Sequence, residues 1–190
     1  MTDNAERTDL LGRSKIVIWT IGHSTRSLDQ FLELLGEHRI ELLGDIRRFP
    51  TSQRVPWSAK TALAAKLGER DIDYEHFEGL GGYRKATPRS PNTGLRNATF
   101  RGYADHMSTP EFEASLSRLI SEASRKRIAL MCAEAVPWKC HRSLLSDSLV
   151  AHGVQVVHIL GAGKTQDHRV TAFAKVHGAV VSYPGQQKGV

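Results

Sequence analysis

Cysteine is scarce in this chain: 190 residues contain two, Cys132 and Cys140. A disulfide-stapled secreted domain uses more of them in a shorter chain, so the pair is expected to be free thiols in a reducing compartment, the cytoplasm. Long apolar runs are also missing. None approaches the ~20 residues needed to span a bilayer, which argues against a membrane partner. The first fourteen residues are polar and mixed in charge, without an apolar stretch of signal-peptide type. Residues 1–14 are expected to be a loose extension, 15–185 one α/β domain, and 186–190 a tail.

Several motifs are absent too. Gly79-Leu80-Gly81-Gly82 lacks the dinucleotide-binding Gly-x-Gly-x-x-Gly spacing, because Arg84 stands where the last glycine belongs. Gly161-Ala162-Gly163-Lys164-Thr165 is similar to a P-loop, but that motif needs a glycine where this chain has His158. The cysteine-phosphatase spacing Cys-x5-Arg fails, since Trp138 lies six residues after Cys132. A metal could be drawn from Cys140, His141, His23 and His168, but no Cys-x-x-Cys or His-x3-His spacing supports one. The expectation is no cofactor and no metal.

What is present is segregated positive charge. The net charge is +6, from 26 Lys and Arg against 20 Asp and Glu. Between Asp45 and Glu69 lie Arg47, Arg48, Arg54, Lys60 and Lys66 with no acid. Between Glu78 and Asp105 lie Arg84, Lys85, Arg89, Arg96 and Arg101, again with no acid. Such segregation focuses a positive potential and points to an anionic partner, a small molecule or nucleic acid.

Periodicity gives the elements. Lys15–Ile21 is an apolar, β-branched run of the kind buried on both faces. Ser27 with Gln30 forms a capping box for a helix whose stripe is Leu28, Phe31, Leu32 and Leu35. Strands are expected over Glu41–Ile46, Ile72–Phe77, Arg127–Ala133 and Val154–Leu160. Helices are expected from Ser58 to Gly68, from Thr109-Pro110 onward, over Cys140–His152 and over Asp167–His177, with an edge strand at Gly178–Tyr183. Gly79 to about Met107 reads as a long connection, a class that is often functional. Alternating strands and helices imply a mostly parallel sheet with helices on both faces, a single Rossmann-like α/β domain.

Ligands of open parallel sheets bind beyond the carboxyl ends of the strands. Those positions hold Gly22, His23 and Ser24 after the first strand and Asp45, Arg47, Arg48 and Ser52 after the second. After the third come Gly81, Gly82, Tyr83 and Arg84, after the fourth Glu134, Cys140, His141 and Arg142, and after the fifth Lys164 and His168. The segments Ile21-Gly22-His23-Ser24, Asp45-Ile46-Arg47-Arg48-Phe49-Pro50-x-Ser52, Gly79-Leu80-Gly81-Gly82-Tyr83-Arg84, Phe100-Arg101-Gly102-Tyr103-Ala104, Cys132-Ala133-Glu134 and Cys140-His141-Arg142, with His168, Thr171 and Tyr183-Pro184 in the tail, together resemble the bacterial and archaeal family catalogued as domain of unknown function 488. That resemblance spans nearly all of Ile18 to Pro184. It implies a Rossmann-like α/β domain and leaves the activity to be argued from the residues.

Cys140 is the sharpest chemical candidate, because a helix start and neighbouring cations favour thiolate. His23, His141 and Glu134 are the other candidates for chemistry. Arg47, Arg84, Arg101 and Arg142 are candidates for gripping anions, with Ser24, Asp45, Ser52, Gly81, Gly82 and Tyr103 lining the substrate. Plainer alternatives stand beside these. Cys132 reads as core, Glu134 as an ion-pair partner of Arg142 or another arginine, and His23 as a turn residue. Trp57, Tyr83 and Trp138 suit base stacking. The reading is a hydrolase or group transferase acting on a phosphorylated, nucleotide or nucleic-acid substrate; the alternative is a non-catalytic nucleic-acid or nucleotide binding module.

Overall fold

A computed structural model describes residues 15–185; the expected extension over 1–14 and tail over 186–190 lie outside the described residues. Strand β1, Val17–Gly22, is followed by helix α1, Leu28–Glu37. The capping box forms: Ser27 Oγ accepts from the Gln30 backbone while the Gln30 side chain accepts from the Ser27 N–H. β2, Leu42–Asp45, and α2, Lys60–Gly68, come next, then β3, Asp73–His76. After these lie α3, Ala98–His106, α4, Pro110–Ala123, and β4, Ile128–Cys132. The chain ends with α5, Arg142–Ala151, β5, Gln155–Gly161, β6, Lys164–Asp167, β7, Lys175–His177, and β8, Val180–Ser182.

Six strands form one sheet in the order β3-β2-β4-β1-β5-β6. Five are parallel, and β6 runs antiparallel to β5. Successive side chains of a strand face opposite sides of the sheet, and both sides are covered. Ile21, Leu43, Ala129 and Met131 pack under Phe31, Leu35, Leu63 and Leu67 of α1 and α2. Ile18, Leu42, Leu130 and Cys132 pack under Tyr103, Phe112, Leu116, Leu144 and Leu149 of α3, α4 and α5. The chain is thus α/β with a mostly parallel sheet between two helical layers.

Four expectations need correction. Ser58 belongs to a 3-10 turn, Pro56–Ser58, and α2 is capped by Ala59 without a side-chain bond, because the Ser58 hydroxyl instead donates to the Val55 carbonyl. The connection from Gly79 to Met107 contains α3, whose start is fixed by Asn97 Oδ1 accepting from the Thr99 and Phe100 N–H groups. α5 begins at Arg142, not Cys140: Cys140 is extended, at φ −138° and ψ 154°, and follows the 3-10 turn Pro137–Lys139. The helix expected over 167–177 is absent. A tight turn with Gly163 at φ +62° folds β6 back on β5, which suits glycine in a short hairpin. Beyond it His168 and Thr171 are held by Asp147, and β7 pairs with β8 as a separate hairpin.

Candidate functional site

β1 and β4 are neighbours at the centre of the sheet. From β1 the chain passes to α1 on one face, and from β4 it passes to α5 on the other, so their connections part at the carboxyl ends. A crevice opens where connections diverge in this way. Here it is a cleft of about 450 Å³, within the range of small-molecule sites. Its lining includes His23, Arg48, Phe49, Ser52, Tyr83, Cys132, Glu134, Lys139, Cys140 and His141.

Two thiols meet at the floor. Cys132, the last residue of β4, and Cys140 are both free, with their sulfurs 2.7 Å apart. Cys140 Sγ also lies 3.6 Å from His141 Nδ1 and accepts the Arg142 N–H at 3.4 Å. On the far side of its ring, His141 Nε2 is 2.9 Å from the Ile46 carbonyl. A carbonyl only accepts, so Nε2 carries a proton and Nδ1 is the nitrogen turned toward the sulfurs. The ring is wedged by Tyr103, 4.9 Å away between centroids, whose hydroxyl donates to the Leu80 carbonyl. A Cβ on Gly82 would come 2.8 Å from His141 Nδ1, so only glycine lets this loop close over the imidazole.

The hydrogen bond from Cys140, assisted by His141, pushes the Cys132 thiol well down; the same contact, with burial, pushes Cys140 well up. The contact between the two sulfurs thus favours charge on Cys132 over Cys140. Cys140 lies two residues ahead of α5, so the helix start that makes it a candidate in the sequence is displaced from the sulfur. Cys132 is buried in the core as its apolar run implies, and as the final residue of a strand it also reaches the cleft.

His23 is 4% exposed. Its Nδ1 is 3.1 Å from the Ser24 carbonyl, so Nδ1 donates and Nε2 carries a lone pair. Nε2 has no hydrogen-bond partner among the described residues. Burial lowers the His23 pKa, which keeps the ring neutral. Ser24 turns the chain at φ +46°. Glu134 is exposed at the cleft. Its backbone carbonyl, not its carboxylate, accepts from Arg142 at 2.8 Å, so the expected ion pair is replaced by a main-chain contact.

The four arginines proposed to grip anions are occupied elsewhere. Arg47 is buried and forked onto Asp45, with Nε 2.9 Å from Oδ1 and a terminal nitrogen 2.5 Å from Oδ2, and it also donates to the Ser58 carbonyl. Tyr74 donates to the same carboxylate. Arg84 donates to the Gly81 and Glu78 carbonyls and pairs with Glu111. Arg101 donates to the Leu95 carbonyl. Arg142, 1% exposed, is a post beneath the loop after β4. Arg47 and Asp45 shape the cleft wall, Gly81 packs on the Arg48 backbone, and Ser52 caps a turn by accepting the Val55 N–H. The cations of the cleft without a hydrogen bond or ion pair among the described residues are Arg48 and Lys139. At the mouth, Phe49 and Tyr83 stand 65% and 79% exposed with ring centroids 6.3 Å apart. Tyr83 is held there at φ +57°, a conformation costly for a non-glycine residue. Trp57 packs on Phe31 instead, and Trp138 lines a separate small pocket with His158 and His168.

These features define an α/β protein with a thiol–imidazole centre at the floor of a strand-end cleft. The family model described as "Domain of unknown function DUF488" matches residues 27–149, and the chain belongs to that family. No curated protein and no solved structure matches the chain. No helix among the described residues is long and apolar enough to cross a membrane.

Proposed function

We propose that this chain is a cytoplasmic, Rossmann-like enzyme that hydrolyses or transfers a group of a nucleotide or another phosphorylated ligand. One observation carries the reading: a single cleft joins an exposed aromatic pair, two uncommitted cations and a titratable floor. Phe49 and Tyr83 offer flat faces to a base. Arg48 and Lys139 offer charge to a phosphate. Cys132, Cys140 and His141 form the reacting centre, and His23 and Glu134 are the groups able to carry protons beside it. A cleft of about 450 Å³ suits a mononucleotide better than a polymer, which ranks nucleic acid second among the ligands. A binding module that only holds nucleotides has no use for an acid and a thiol pair in its cleft.

The test has two parts. A nucleoside monophosphate titrated against intrinsic fluorescence should bind saturably, and Arg48→Ala should weaken it by about tenfold or more, the loss of one charge-assisted hydrogen bond. A panel of nucleotides incubated with the protein and separated by chromatography should then yield a product that Cys132→Ala does not form. Absence of binding overturns the reading. Binding without product across the panel leaves the non-catalytic module.

A further inference from the structure

The cleft floor gathers three soft or borderline ligands. Cys132 Sγ, Cys140 Sγ and an imidazole nitrogen of His141 lie within 4.8 Å of one another. They arrive from a strand end and from the loop that returns to α5, so the seven residues between the cysteines act as a clasp. The His141 ring is already oriented: Nε2 donates to the Ile46 carbonyl at 2.9 Å, leaving Nδ1 toward the sulfurs. Metal-bound histidines almost always carry this kind of outer contact, which fixes both tautomer and ring. Cys140 accepts the Arg142 backbone N–H, a bond that suits a sulfur bearing negative charge.

A second observation points the same way. His23 lines this cleft, is 4% exposed and is also tied at one nitrogen to a carbonyl, that of Ser24. Its other nitrogen, Nε2, has no partner among the described residues. A buried polar atom left unmatched is costly, so an unmatched nitrogen lining the cleft that holds the thiol pair calls for an occupant of that cleft. Two sulfurs and one imidazole are the protein ligands of three-coordinate zinc sites that keep their fourth position for water or substrate. Thiolates discriminate against magnesium and calcium.

We propose that Cys132, Cys140 and His141 bind one zinc ion, with the fourth position open to the cleft. A tetrahedral ion holding two sulfurs at 2.3 Å each sets them about 3.7 Å apart. The pair therefore opens by about 1 Å from its 2.7 Å separation, while the 3.6 Å between Cys140 Sγ and His141 Nδ1 already fits a shared shell. The inference rests on the reading of this group as the reacting centre and states what that centre holds.

Untagged protein is stripped with a chelator, kept reduced and titrated with cobalt(II). The expected result is one equivalent bound, with thiolate-to-cobalt charge-transfer absorption that zinc displaces. Cys132→Ser and His141→Gln, checked for folding by circular dichroism, should each lower cobalt affinity by at least about tenfold. No charge-transfer band in folded, reduced wild type overturns the site without recourse to any variant. An unchanged band in both folded variants overturns it equally. The nucleoside monophosphate titration is repeated on the stripped protein. Nucleotide binding without a cobalt band sinks the metal site alone, and a cobalt band without nucleotide binding sinks only the reading of the cleft.

Discussion

Two buried polar clusters meet α5, one just ahead of the helix and one within it, and they are completed to different degrees. Asp147, fully buried, accepts from His168 Nε2 at 2.7 Å, from the Tyr183 hydroxyl at 2.7 Å and from the Thr171 N–H at 3.0 Å. His168 continues to His158 at 3.0 Å, and His158 to the Thr20 hydroxyl at 2.7 Å. Every polar atom of these side chains has a partner in protein. The cluster links β1, β5, α5 and the segments on either side of the β7–β8 hairpin, and a fully satisfied network of this kind rigidifies and specifies a fold. Just ahead of the same helix the Cys–Cys–His group borders a cleft in which His23 Nε2 has no partner among the described residues. Matched polar atoms read as architecture, and unmatched ones at a cavity read as a place for a ligand.

The largest expected effect tests that division. Asp147→Ala strands His168, Tyr183 and the Thr171 N–H in the core, and removing one member of a buried charged network costs about 3–5 kcal/mol. Cys132→Ser changes one atom beside a cavity and should cost roughly 1–2 kcal/mol. Urea denaturation followed by circular dichroism compares them. Equal losses would erase the contrast between scaffold and site.

Acid should find the scaffold next. Burial, then the neighbouring His168, pushes His158 down to about 3 from an ordinary value of 6.5. As pH falls the unfolded chain therefore takes up its proton before the folded one. The stability due to neutral His158 is fully present above about pH 6.5 and drains between about 6.5 and 3. One proton taken up only on unfolding sets a slope of roughly 1.4 kcal/mol per pH unit. His23 and His106, also lowered by burial, add to it with the same sign. His158→Gln should flatten the curve in that window. A slope unchanged by the substitution would take His158 out of the buried network.

The contrast also explains how much of the molecule was legible in the sequence. The parallel sheet was readable because Val17–Gly22 and Ile128–Cys132 are buried on both faces, and continuous apolar runs announce such strands. The Ser27 and Thr109 caps were readable because capping is local. The helix expected over 167–177 failed because long-range bonds from Asp147 to His168 and Thr171 outweigh local propensity, and no window of sequence contains them. In the cleft, strand ends nominated His23, Glu134, Cys140 and His141, and the fold brings these four to one lining. Residue type alone could not say which arginines were spent on carbonyls and carboxylates and which, like Arg48, stayed available. Cys132 is core, as a cysteine inside an apolar run implies, and only the fold shows Cys140 packed against its sulfur.

The smallest effect concerns the two sulfurs themselves and separates the site from mere burial. In reduced, chelator-treated protein, iodoacetamide should label Cys132 ahead of Cys140, with peptide mass spectrometry assigning each site. The reason is the contact between the sulfurs: the Cys140 thiol and His141 both stabilise charge on Cys132, and the thiolate is the reacting form. Both residues are nearly buried, at 5% and 4% exposure, so access is similar and the ordering reports charge. His141→Gln removes an imidazole from the pair and should slow Cys132 while leaving Cys140 slow. Asp147→Asn, which disturbs only the other cluster, should not alter the ordering as long as the protein remains folded. Preferential labelling of Cys140 would place the thiolate nearer the helix start, where the sequence alone had put it. Loss of the ordering in Asp147→Asn would show that the two clusters on α5 are one.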